Sequence, residues 1–186
     1  MSRINELLRS LKNPADNSSN PLRQVPRSWS TSGIPPRVLL RIIEETYQRT
    51  IGPNIMKLKD YKSFTSEVYG ELMPTFISDI ISATGLNEKS LFLDLGSGVG
   101  NVVLQASLQT GCRSFGVEKN SNPAKLATEQ LQQLKLRCRM WGVAVGEVEL
   151  AEADMKTCPQ VDELMKEADV VLVNNFVFEQ EREFPE

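Results

Sequence analysis

Leu91-Phe92-Leu93-Asp94-Leu95-Gly96-Ser97-Gly98-Val99-Gly100-Asn101 is the stretch that decides the fold. Its first five residues are four apolar side chains and one acid, the composition of a short buried strand. Three glycines follow at alternate positions, and then an apolar helical run through Val102, Val103, Leu104, Ala106 and Leu108. A strand, a tight glycine turn and a helix N-terminus together form a cradle for a nucleotide-like cofactor. The spacing is G-x-G-x-G, not the G-x-G-x-x-G of dinucleotide binders. No Lys-Ser/Thr follows, so the turn is not a phosphate-gripping loop either.

Two acids narrow what the cradle holds. Asp94 stands just before the turn, and Glu118 closes the next strand candidate, Ser114-Phe115-Gly116-Val117-Glu118. An acid at the end of the second strand of a βαβ unit accepts hydrogen bonds from ribose hydroxyls. Asp94 would repel a pyrophosphate but suits a cationic amino-acid group. S-adenosylmethionine meets these demands, with an adenosine, a sulfonium, an α-ammonium and no phosphate. The glycines let backbone approach it where a Cβ would collide. The competing reading of the same loop is a nicotinamide or flavin site.

Outward from the cradle the pattern alternates strand and helix. Strands are expected near 91–95, 114–118, 147–151 and 170–174, with helices over 101–110, from Asn122-Pro123 onward, and near 159–167. Ala124, Ala127, Leu131, Leu134 and Cys138 mark the core stripe of the middle helix. Alternation of this kind implies a parallel, right-handed sheet, whose ligand lies at the carboxyl ends of the strands. Gly96, Glu118, Asp154 and Asn174 all fall at such ends. Upstream, helices are expected from Pro36 to Ile51 and from Glu71 to Ala83, the first stopped by Gly52-Pro53 and the second by Gly85. Residues 54–68 read as irregular or briefly helical. Residues 13–36, rich in Asn, Ser and Pro, read as extended chain.

Composition sets the limits. The chain has 186 residues, 40% of them hydrophobic, enough for one domain and an appendage. It contains no histidine, which removes Ser-His-Asp and Cys-His catalysis and most zinc and iron sites; no metal is expected. Cys112, Cys138 and Cys158 are odd in number and form no CxxC, so reduced thiols are expected. No apolar run approaches the ~18 residues that span a bilayer, and charge interrupts Met1–Leu11, so no signal peptide is expected. Net charge is −3, divided as +5 over residues 1–70 and −8 over residues 71–186. A basic front could face a polyanion, or could be only a solvated leader.

Four segments, in this order, resemble one family: Val68-Tyr69-Gly70-Glu71, Asp94 through Asn101, Gly116-Val117-Glu118-Lys119, and Val173-Asn174-Asn175-Phe176-Val177-Phe178. Together they resemble the disruptor-of-telomeric-silencing family, the non-SET lysine methyltransferases that act on the folded core of histone H3. The Y-G-E and N-N-F-x-F elements are far more specific than the glycine loop.

The resemblance, over residues 35–178, implies a Rossmann-like class I S-adenosylmethionine-dependent methyltransferase sheet with a helical N-terminal extension. It implies seven strands where four are legible, so an incomplete, C-terminally truncated sheet is expected, with strand 170–174 as an exposed edge. It implies roles by position. Tyr69, Gly70, Glu71 and Leu72 form a loop closing over the methionine end of the cofactor. Phe92, Leu93, Asp94, Leu95, Gly96, Ser97, Gly98, Val99, Gly100 and Asn101 form the glycine motif. Glu118 holds the ribose, and Asp154 and Met155 hold the adenine. Asn174, Asn175 and Phe176 wall the transferred methyl from the substrate-lysine channel, with Tyr69 beside them as a catalytic residue and Asn175 as a cofactor contact. The implied partner is the nucleosome, through histone H3 and, at the basic front, DNA. The implied setting is the nucleus, in chromatin regulation, telomeric silencing and the DNA damage checkpoint; the alternatives are a cofactor-binding fragment without turnover and a methyltransferase acting on another substrate.

The domain reading that follows is a flexible leader over 1–34, a helical part with the closing loop over 35–85, the cofactor-binding domain over 86–178, and a tail over 179–186. Each singled-out residue also has a plainer reading. Tyr69 could be a core aromatic and Asp154 a solvated loop acid. Asn174-Asn175 could be a turn and Phe176 a strand-face residue. Glu118→Ala is expected to weaken cofactor binding with little effect on folding, and Gly98→Arg to abolish binding by filling the cradle.

Overall fold

The computed structural model describes residues 33–54 and 72–174. Helix α1 (Pro36–Thr50) opens with proline at its first position, where the missing N–H has no helical partner anyway. A 3-10 turn, Gly52–Asn54, follows it. Helix α2 (Pro74–Thr84) starts three residues later than the expected Glu71. Pro74 explains the shift. Its ring disfavours helical backbone at the preceding residue, so Met73 stays extended at ψ 140° and becomes the N-cap. Gly85, at φ 68°, ends α2 as expected.

The βα alternation then runs β1 (Leu91–Leu95), α3 (Asn101–Thr110), β2 (Arg113–Glu118), α4 (Ser121–Trp141), β3 (Val148–Glu152), α5 (Pro159–Leu164) and β4 (Val170–Val173). The N-cap of α4 is Asn120 rather than the expected Asn122. Pro123 therefore sits inside the first turn, where its lack of an N–H costs no helical bond. The last helix stops at Leu164, short of the expected 167.

All four strands pair in parallel in the order β3-β2-β1-β4. The chain builds outward from β1 to β3, then crosses back to lay β4 on the other side of β1. That reversal makes the carboxyl end of β1 the switch point of the sheet.

The two faces differ. Phe92, Val148 and Leu150 face a layer of four helices. Leu39 and Ile42 of α1 meet Val103, Leu104 and Leu108 of α3 and Leu134 and Cys138 of α4. Ile77 and Ile81 of α2 meet Phe92, Val102 and Ala106. On the opposite face Leu91, Leu93, Leu95, Phe115 and Val117 pack on Val161 and Leu164 of α5. Val171 and Val173 share that second face and stay 37% and 41% exposed. Among the described residues the outer edge of β4 has no strand partner, as expected.

Gly116 marks the tightest approach between sheet and glycine loop. A Cβ there would stand 2.8 Å from Ser97 Oγ and 2.9 Å from Val103 Cγ2. Without that Cβ, α3 and the loop can lie directly on β2.

Candidate cofactor site

Parallel strands bring their carboxyl ends to one edge of the sheet. Gly96 follows β1 directly, Glu118 is the last residue of β2, Asp154 comes two residues after β3, and Asn174 follows β4. The strand order therefore lines these four tips up as Asp154, Glu118, Gly96, Asn174. At a strand spacing of about 4.8 Å, three intervals span about 14 Å.

The glycine loop takes its shape from left-handed backbone. Gly96, Gly98 and Gly100 have φ of 90°, 55° and 82°, a region that side chains disfavour. The N–H groups of Gly96 and Ser97 both donate to the Val117 carbonyl, at 2.9 and 3.0 Å, which stitches the turn onto β2. The Gly100 N–H donates to the Ser97 carbonyl at 2.8 Å and closes the turn. Ala127 of α4 would lie 3.4 Å from a Cβ on Gly100, so the loop is also pressed against the next helix.

Glu118 is buried, and each of its oxygens accepts one hydrogen bond. Its Oε2 accepts the Gly98 N–H at 2.9 Å, and its Oε1 accepts the Asn120 N–H at 2.7 Å. Each oxygen keeps a further lone pair for a ligand hydroxyl. These two bonds correct the expectation that Glu118→Ala spares folding, because the carboxylate also holds both flanking loops.

Asp94 is different. It is 3% exposed and lies on the same sheet face as Glu118. No hydrogen bond reaches its carboxylate from the described residues. Burial, with Glu118 as the lesser cause, pushes its carboxyl up to about 7. A buried acid in this state is half-ionised near neutrality and gains most from a cation placed beside it.

Asp154 is half-buried and bonded to its neighbours. Its Oδ1 accepts the Lys156 N–H at 2.9 Å, and Lys119 Nζ lies 3.4 Å from Oδ2. The Lys156 N–H first, and Lys119 after it, hold its carboxyl below the usual range. Met155 packs on the α5 face of the core, and its Cε would lie 3.9 Å from a Cβ on Gly96. Asp154 and Met155 thus bring the β3 tip up to the glycine loop.

The apolar members of the motif are core residues that shape the loop from below. Phe92 packs under α2 and α3, Leu93 and Leu95 pack under α5, and Val99 packs on Ile51 and Leu126. Asn101 Oδ1 accepts from Gln130 Nε2 at 2.9 Å, and the same amide donates to the Val99 carbonyl at 2.8 Å. Gln130, 2% exposed, is thus a positioning residue that the sequence reading missed. Its only signal there was a polar residue between the stripe positions Ala127 and Leu131. Leu72 is half-buried against the α2–α3 cluster. Asn174 is exposed at the tip of β4. Tyr69, Gly70, Glu71, Asn175 and Phe176 lie outside the described residues.

A cavity of about 310 Å³ opens between α4 and β3, behind Ser97 and Glu118. It was not foreseen, although the small residues Ala124 and Ala127 on α4 leave the room for it. No cluster of three or more metal-ligating side chains occurs among the described residues, and no helix among them is long and apolar enough to cross a membrane.

Comparison with known proteins points one way. The family model described as histone methylation protein DOT1 matches residues 47–183. A histone-lysine N-methyltransferase, H3 lysine-79 specific, from Emericella nidulans is 47% identical over 138 residues, covering 74% of this chain and 28% of that protein. Its namesake from Chaetomium globosum is 45% identical over 149 residues, covering 80% and 29%. Another, from Eremothecium gossypii, is 41% identical over 177 residues, covering 94% and 29%. The chain spans less than a third of the length of these curated relatives. Among solved structures, an RNA methyltransferase from Salinibacter ruber in complex with S-adenosyl-L-homocysteine aligns with TM-score 0.45 at 22% identity, over 55% of this chain and 58% of that one.

Proposed function

This chain belongs to the DOT1 histone methylation family, and on that premise we propose that it carries the S-adenosylmethionine site of a histone H3 core lysine N-methyltransferase. The observation that carries the reading is Asp94, a buried carboxylate with no hydrogen bond from the described residues, beside a Glu118 whose bonds leave lone pairs free. A cationic α-ammonium answers the first and a ribose diol the second. A pyrophosphate answers neither. Asp154 and Met155 at the β3 tip are assigned the adenine. Asn174, with Asn175 and Phe176 after it and Tyr69–Leu72 as the closing loop, is assigned the methyl end and the lysine channel. The span of about 14 Å between the outer tips suits an extended nucleoside joined to an amino acid.

When bound, the cofactor supplies a sulfonium methyl, and its sulfur leaves neutral. The protein need provide no general acid, and the absence of histidine is no obstacle. It must present a neutral lysine amine in line with the methyl. Free lysine has a pKa of about 10.4, so the reactive form is scarce at neutral pH. An apolar channel would lower that value by desolvation. Fixed geometry can contribute about 7–11 kcal/mol. The substrate proposed is a lysine in the folded core of nucleosomal H3. The +5 charge of residues 1–70 is proposed to lie toward nucleosomal DNA. The setting proposed is the nucleus.

Calorimetry with S-adenosylmethionine tests the site, and transfer to nucleosomes tests the substrate separately. Binding is expected to strengthen from pH 6 to pH 8 and, near pH 6.5, to release a proton as Asp94 ionises against the ammonium. The released proton appears as a dependence of the observed enthalpy on the buffer's ionisation enthalpy. Absence of binding, or binding with proton uptake, would overturn the donor assignment.

A further inference from the structure

The cavity between α4 and β3 is not part of the cradle just assigned. It touches Ser97 and Glu118, but Asp94, Gly96, Gly98, Asp154 and Met155 take no part in its wall. Its floor is apolar, formed by Ala124 and Ala127 of α4 and Leu150 of β3. Its volume of about 310 Å³ falls at the lower end of the range for small-molecule sites, ~300–1,000 Å³. The charges around it are uneven. Glu118, Glu129 and Glu152 face a single cation, Lys125. An apolar floor under a mainly anionic rim selects a compact apolar body that carries one positive charge.

We infer that this cavity is a second ligand site, one that takes a small primary amine on an aromatic or branched apolar group. The apolar part covers Ala127 and Leu150, and the ammonium sits among the three carboxylates. Burial of the body and attraction of the rim are separate contributions, so they can be removed separately. Glu118 walls both the cavity and the proposed donor cradle. An ammonium that bonds Glu118 occupies the lone pairs that the donor's ribose diol needs. The two ligands are therefore negatively coupled, and the factor must be the same measured from either side. The coupling rests on the donor reading; amine binding does not.

The probe is benzylamine, with benzyl alcohol as its uncharged isostere, titrated into the whole chain without donor and followed by the methyl resonances of Ala124, Ala127 and Leu150. Benzylamine is expected to shift them saturably and to bind at least tenfold more tightly than the alcohol, less so at high salt. Glu129 and Glu152 are exposed, so E129Q/E152Q leaves the fold intact and should weaken the amine about tenfold. Lys125→Gln should tighten it. Equal binding of amine and alcohol, no saturable shift, or affinities unmoved by these charge variants would each overturn the site. Saturating benzylamine is further expected to raise the donor's Kd several-fold. If the amine binds and the donor does not, the donor reading fails while this site stands.

Discussion

Glu118→Ala should abolish donor binding and weaken the fold at once. Two charge-assisted hydrogen bonds to a ribose, at about 1.5–3 kcal/mol each, disappear with the carboxylate. That predicts a Kd at least ~100-fold higher, since about 1.4 kcal/mol is tenfold. The Gly98 and Asn120 N–H groups also lose their acceptors, at 2.9 and 2.7 Å in the native site. Each stranded N–H costs about 1–3 kcal/mol, so denaturant unfolding should show a loss of about 2–6 kcal/mol. Glu118→Gln keeps one carbonyl oxygen and should fall between the variant and the native protein on both readouts. An alanine variant of native stability would mean that the loops do not depend on this carboxylate.

Asp94→Asn should separate what Glu118→Ala joins. The donor loses its countercharge, and affinity should again fall about 100-fold. Stability moves the other way. The folded pKa of Asp94 is about 7 against 3.8 for the ordinary carboxyl. Between those values the folded state binds more protons than the unfolded state, so stability falls as pH rises from about 4 to about 7. Three units at 1.36 kcal/mol each amount to about 4 kcal/mol. Asparagine carries no charge to bury, though its amide still lacks partners among the described residues, at about 1–3 kcal/mol. The variant should therefore be about 1–3 kcal/mol more stable than the native protein at pH 8, with a flatter pH profile. Urea unfolding at pH 5, 6.5 and 8 would read both, and an unchanged slope would show that Asp94 titrates normally.

The strands were largely legible because parallel core strands advertise themselves as short apolar runs, as Leu91–Leu95 and Val170–Val173 do. Helix starts were less so. Pro74 and Pro123 each shifted a boundary, because a proline can be the first helical residue or sit two places inside the first turn. The tips Gly96, Glu118, Asp154 and Asn174 could be placed at strand ends from the alternation alone, and the strand order then sets them side by side. The partners could not be read. Nothing in the spacing says that Gly98 donates to Glu118, that Gln130 reaches across to Val99 and Asn101, or that Lys119 meets Asp154. The first depends on how the glycine loop folds over β2, the second on how α4 lies on the sheet, and the third on the pairing of β3 with β2. The burial of Asp94 is equally a property of packing, since the same residue in a wetter loop would be an ordinary acid.

The crossover to β4 has a consequence for how the molecule assembles. β1, β2 and β3 pair with near neighbours along the chain, but β4 must find β1 from far away. The Leu91 N–H donates to Asp169 Oδ2 at 2.8 Å across 78 positions of sequence, and the Asp169 N–H returns a bond to the Leu91 carbonyl at 3.0 Å. Closing that long loop is the slowest kind of step in a folding chain. Amides in Val170–Val173 should accordingly gain exchange protection during refolding after those of Leu93 and Phe115. Until they do, the crevice beside Gly96 has only one bank, so a ligand spanning it would recognise only chains that have finished folding.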